Sequence, residues 1–102
     1  MLLNVLSRGV ELSDSMRATL QRKLEFAFDR FGDRLKSVDV TLEDLNGPRG
    51  GVDKRVRLLV NGPSRHEVVI EERSDNLMAA VSNAVDRASR ALARLLDRQH
   101  RH

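Results

Sequence analysis

The sequence predicts a two-layer α+β domain in the order β-α-β-β-β-α, with two helices on one face of a four-stranded sheet. Three observations lead there. Apolar residues recur at three- and four-residue steps through two segments, which are therefore helices. In the segments between them apolar and polar residues alternate, as on strands with one buried and one wet face. The strands follow one another across turn signals, which favours hairpins and gathers the helices into one layer. At 102 residues, with no internal repeat, linker or low-complexity tail, the chain reads as one domain over 1–102.

The opening run Leu2-Leu3-Asn4-Val5-Leu6 is short and apolar, a buried strand broken by Arg8-Gly9. Ser13 is a good N-cap for the first helix; Asp14 puts a negative charge in its positive first turn, and Leu12 is placed to staple against it. Met16, Leu20, Leu24, Ala27 and Phe31 mark one apolar face, and Gly32 is the expected stop. Val38, Val40 and Leu42 alternate with Asp39, Thr41 and Glu43 to give a second strand. The stretch from Asn46 to Gly51 predicts a flexible turn. Val56, Leu58 and Val60 make a third strand. Asn61-Gly62 signals a hairpin, with Pro63 discouraging further pairing, and a fourth strand runs from about His66 to Glu71. Ser74 or Asp75 caps the last helix, whose apolar side runs from Leu77 and Val81 through Ala84, Val85 and Ala88 to Leu92 and Leu95.

Composition narrows the class. The 40% apolar content suffices for one core, and with three Phe, no Trp and no Tyr that core must be built from Leu, Val, Ala and Met. The absence of Cys excludes disulfides, thiolate chemistry and Cys-ligated zinc. No apolar run reaches the ~18–20 residues of a membrane span. The start, MLLNVLSRGVEL, has neither the basic nor the apolar region of a signal peptide, so a cytoplasmic protein with no membrane partner is expected.

The net charge is +3, and its position is informative. Residues 1–85 hold 13 basic and 13 acidic side chains, which cancel, whereas residues 86–102 hold five Arg against Asp86 and Asp97. His100 and His102 would add to this excess at lower pH. Such an asymmetry points to an anionic partner.

On a wheel of ~100° per residue, Arg87, Arg90, Arg94, Arg98 and Arg101 fall in a sector of roughly 80°, away from the apolar stripe. Asp86 and Asp97 lie outside that sector, so no acid of the helix interrupts the row. Two readings compete. One is a solvated helix face. The other is a cationic strip for phosphate, since Arg offers a planar, permanently charged fork. An ordinary surface face mixes Glu with Lys in i,i+4 pairs; an all-Arg row sets like charges side by side, which an external anion relieves.

Two further basic sets accompany the row. Lys54, Arg55 and Arg57 lie on the third strand, where Arg55 and Arg57 face away from Val56 and are expected to pair with Asp39 or Glu67. Arg22, Lys23 and Arg30 are placed on the first helix, Lys23 and Arg30 straddling Phe26. Phe26 is expected at a half-buried helix edge; an exposed ring there would instead offer a base something to stack on.

No catalytic constellation emerges. His66 stands alone on a strand, and His100 and His102 lack a carboxylate or third ligand. Glu71 and Glu72 are adjacent, so on a strand they face opposite sides and cannot act as an acid/base pair. The glycines of the 46–51 turn match neither a dinucleotide fingerprint nor a P-loop. The expectation is a protein that is not an enzyme, with no cofactor, metal or small-molecule substrate.

Over its whole length the chain resembles the family of ribosome hibernation promoting factors and ribosome-associated translation inhibitors. The resemblance rests on Leu3-Asn4-Val5, Val10-Glu11-Leu12-Ser13, Met16-Arg17, Arg22-Lys23-Leu24-Glu25 and Phe31. It continues through Val38-Asp39-Val40-Thr41-Leu42, Val60-Asn61-Gly62, Ala79-Ala80-Val81, Val85-Asp86-Arg87 and Leu92. The family's usual Asp-Met-Tyr at the start of the last helix is Asn76-Leu77-Met78 here, and its Leu-Glu pair becomes Ala88-Ser89. The resemblance implies a fold like a double-stranded-RNA-binding domain with an added strand. It also implies a stress- and stationary-phase factor bound to the RNA of the small ribosomal subunit, in the channel used by messenger and transfer RNA. The implied contacts are Arg22, Lys23, Arg87 and Arg90, then Arg94 and Arg98. A short form is implied, without the extension through which long members pair ribosomes. Two rivals remain: a protein-interaction module of the sigma-factor-modulation type, its basic helix on an acidic partner, and a general binder of duplex RNA.

Overall fold

The computed structural model describes residues 1–45, 53–62 and 65–100, and the side chains of all these except 99 and 100. The expected 46–51 turn, Pro63, Arg101 and the side chains of His100 and His102 lie outside the described residues. The elements are β1 (Leu2–Arg8), α1 (Asp14–Phe28), a 3₁₀ segment (Asp29–Arg34), β2 (Ser37–Asp44), β3 (Lys54–Asn61), β4 (Glu67–Ser74) and α2 (Leu77–His100). The predicted order and two-layer α+β class hold.

The sheet order is β1-β2-β3-β4. Strand β1 runs parallel to β2 with Leu3 opposite Val38, because α1 carries the chain back across the sheet between them. The other two pairs are antiparallel, with Val40 opposite Leu58 and Leu58 opposite Ile70. Period-two alternation sends Val38, Val40, Leu42, Val56, Leu58, Val60 and Ile70 to the helix side, where all are buried. The opposite face is open: Leu2, Leu6 and Val69 are exposed there beside a mixture of acids and arginines.

Ser13 caps α1 as expected; its hydroxyl accepts from the Met16 amide at 3.1 Å. Leu20, Leu24 and Phe28 are the buried stripe of α1, with Met16 and Ala27 only partly covered. Phe28 takes the inward place because it stands four residues after Leu24, on the same face of the helix. The chain tightens into the 3₁₀ segment, where Gly32 at φ 58° supplies the left-handed residue that turns it towards β2. Phe31 thus reaches the core from outside α1, and Arg30 belongs to the 3₁₀ segment rather than to the helix.

Three sequence readings near α2 need correction. Strand β4 runs from Glu67 to Ser74, three residues beyond the expected end. Ser74 is therefore still strand, and the cap falls to Asn76, whose Oδ1 accepts from the Ala79 amide at 3.0 Å. On the apolar side of α2, Leu96 rather than Leu95 is buried, because Leu96 is the one that faces Phe31 and the 3₁₀ segment. The Asn61-Gly62 hairpin forms, but not as a two-residue turn. Asn61 pairs with Glu67, the Gly62 amide donates to the His66 carbonyl at 2.8 Å, and the positive φ (66°) belongs to Arg65.

At the far end of β2 and β3, Lys54 Nζ bridges Asp44 Oδ2 (3.1 Å) and the buried Asp53 Oδ2 (3.0 Å). Both hydrogen-bonded carboxylates hold the Lys54 ammonium above its ordinary pKa.

Candidate nucleic-acid interface

Helix α2 lies over β3 and β4 with its buried stripe facing down, so its two flanks meet different neighbours. On the flank towards β4, Arg87, Arg90 and Arg94 line a groove of about 400 Å³ with Ile70 and Ala91. The spacing read from the sequence thus does bring three members of the arginine row together. Arg98 is exposed one turn further on.

An acid does enter this row, from the sheet. Arg87 Nη1 donates to Glu72 Oε1 and to the Glu71 carbonyl, both at 3.1 Å. Glu72 shares strand parity with Val68 and Ile70, so it points up at α2, while Glu71 points to the open face. The sequence reading ended this strand at Glu71; only its continuation to Ser74 gives Glu72 the core-facing parity of Val68 and Ile70. Arg87 also occupies an outward carbonyl of β4, which lowers the tendency of that edge to recruit another strand.

On the other flank, Lys23 and Phe26 of α1 and Arg30 face Ser82, Asp86 and Ser89 of α2 across a groove of about 380 Å³. Phe26 is 89% exposed rather than at a half-buried edge, because it stands about half a turn away from Leu24 and Phe28 of the buried stripe. Arg30 sits over the Phe31 ring, its guanidinium carbon 4.6 Å from the centroid. Arg34, not singled out in the sequence, joins Arg30, Phe31 and Asp97 around a smaller neighbouring groove. Arg22 is exposed on α1, outside these walls. The predicted cations therefore form two sets on opposite flanks of α2, with Asp86 on the α1 side.

The β3 arginines have a different part. Arg55 Nη2 bonds Glu43 Oε1 at 2.7 Å, with Glu71 at 3.9 Å, so it pairs across the sheet as expected but not with Asp39 or Glu67. That hydrogen bond holds the Glu43 carboxyl below its ordinary pKa. Asp39 instead accepts from Asn4 at 2.7 Å. Arg57 is exposed. Among the described residues no group of three His, Asp or Glu side chains is placed to hold a metal ion, and no helix is long and apolar enough to cross a membrane.

A four-stranded mixed sheet under two helices, the second carrying a one-sided arginine row, defines an α+β domain with a basic helix flank. The chain belongs to the sigma 54 modulation protein / S30EA ribosomal protein family, whose model matches residues 3–100. The resemblance to hibernation factors and ribosome-associated inhibitors falls within this family. The fold is similar to the N-terminal domain of Thermus thermophilus Protein Y, with a TM-score of 0.75 at 28% identity, over 93% of this chain and 99% of that one. It is also similar to a ribosomal subunit interface protein from Coxiella burnetii, with a TM-score of 0.76 over 95% of this chain and 99% of that one. At 17% identity the second likeness concerns the fold alone. Among curated protein sequences, nothing matches the chain significantly.

Proposed function

We propose that this chain is a non-catalytic, cytoplasmic ribosome-binding factor. It occupies the messenger and transfer RNA channel of the small subunit and so holds idle ribosomes out of translation under stress or in stationary phase. The observation that carries this reading is the arginine row on the β4 flank of α2, in a chain of the S30EA ribosomal protein family. Arg90, Arg94 and Arg98 supply phosphate contacts, Lys23, Arg22 and Arg30 add charge from the other side, and Arg87 is shared with Glu72. The family's description as a sigma 54 modulation protein supports a second reading, in which the same row meets an acidic protein surface.

Sucrose-gradient sedimentation with purified small subunits separates the two. Co-migration that is abolished by reversing Arg90, Arg94 and Arg98 to Glu together supports the ribosome. Protein remaining at the top of the gradient, or triple-variant binding equal to wild type, overturns the assignment. Equal affinity for plain duplex RNA and for small subunits would point to a general duplex binder.

A further inference from the structure

The groove between α1 and α2 has a chemistry distinct from the arginine row. The chain contains three aromatic residues, two of which, Phe28 and Phe31, are buried. The third, Phe26, is 89% exposed at the groove wall, where it contributes nothing to the core. Lys23 and Arg30 flank it, and Arg30 is held at the mouth by its stack on Phe31. The facing wall, from α2, presents Ser82, Asp86 and Ser89.

A phosphate does not suit the interior of this groove, because the Asp86 carboxylate would repel it. A cation alone is disfavoured by the positive charges of Lys23 and Arg30 at the same wall. A nucleotide satisfies every wall at once: its base stacks on an aromatic face, its phosphate meets Lys23 and Arg30 at the rim, and its polar edge meets Asp86. An ionised carboxylate only accepts hydrogen bonds. It therefore selects a base edge with two adjacent N–H donors, which among the four RNA bases is the Watson–Crick edge of guanine. The other three place a ring acceptor or a carbonyl where the second donor is needed.

We propose that the α1–α2 groove captures one unpaired guanosine of an RNA strand, with Phe26 as the stacking platform and Asp86 as the base-reading residue. The proposal rests on the RNA-binding reading above and names the part of the RNA that this flank reads. It makes Phe26 a contact residue and gives Asp86, an acid facing Lys23 and Arg30 across the groove, a positive role.

The test is fluorescence anisotropy with labelled single-stranded octamers of uridine carrying one central guanosine or one central adenosine. Circular dichroism confirms that the variants fold. Wild type binds the guanosine octamer about 5- to 100-fold more tightly than the adenosine octamer. Phe26→Ala weakens both by about 5- to 100-fold. Asp86→Asn removes the guanosine advantage without weakening binding to the adenosine octamer. Equal wild-type affinity for the two octamers, or Phe26→Ala binding as wild type does, overturns the proposal; the latter result would assign the ring to a protein partner. The two readings fail separately. Normal sedimentation with small subunits but no guanosine preference removes the base site alone, whereas a preference without sedimentation removes the ribosome assignment alone.

Discussion

The guanidinium of Arg87 is partly engaged before any ligand arrives, through the Glu72 carboxylate and the Glu71 carbonyl. Glu72→Gln should release it, making the slope of log affinity against log salt for RNA steeper by up to about 1, which titration at several salt concentrations reads. Unchanged slope would show that Arg87 stays with β4. Another single-residue effect concerns pH. Because Arg55 lowers the folded-state pKa of Glu43, the pair stabilises the protein above the unfolded carboxylate value of about 4.3 and loses that contribution as pH falls through the folded value. Urea midpoints should thus fall between pH 7 and pH 3, and fall less in Glu43→Gln. Lys54 acts in the opposite direction: its contribution is complete below about pH 10.4 and lost above its raised pKa. At this scale the sequence was half legible. The arginine spacing could be read along one helix, but its partner Glu72 lay just past the expected end of β4, and the exposure of Phe26 depends on which residues of α1 form the buried stripe.

Periodicity made the elements themselves the most legible part of the chain. Alternation placed Val38, Val40, Leu42, Val56, Leu58 and Val60 on the inner face, where all are buried. The apolar stripe of α2 was right as far as Leu92. What periodicity could not supply was where one element yields to the next. Ser74, Asp75 and Asn76 are three consecutive capping residue types, and only the reach of β4 decides among them. Asn76→Ala should destabilise the protein by about 1 kcal/mol in urea unfolding, and Asp75→Ala by distinctly less. The opposite ranking would return the cap to the residue first expected. Gly32 illustrates the same limit. It was expected to end α1 directly, yet the helix ends four residues earlier and the glycine serves the following 3₁₀ turn.

Over the whole molecule, charge and exposed aromatic surface are concentrated on the helix layer, while the open sheet face carries acids and arginines in balance. Lys23, Arg30, Arg90, Arg94 and Arg98 flank α2 on that layer and lead the contact with an RNA backbone, with Arg22 beside them. If each neutralises about one phosphate, log affinity should fall against log salt with a slope of about −3 to −5. A slope near zero by the same titration would exclude a backbone-led interaction. The one-sided distribution also orients the molecule during approach, so raising salt should slow association more than it speeds dissociation.

The parallel pairing of β1 with β2 has a consequence for the order in which the protein acquires its structure. Strands β2, β3 and β4 close through neighbours near in sequence, but Asn4 meets Asp39 across 35 residues, with all of α1 between them. Contacts that span so much chain carry the larger loop-closure entropy and are the natural ones to form late. Of these four strands, the first to be synthesised is then the last to find its place. Leu3→Ala should accelerate unfolding in stopped-flow measurements while leaving the refolding rate nearly unchanged, and a slowed refolding limb would put β1 in the nucleus instead.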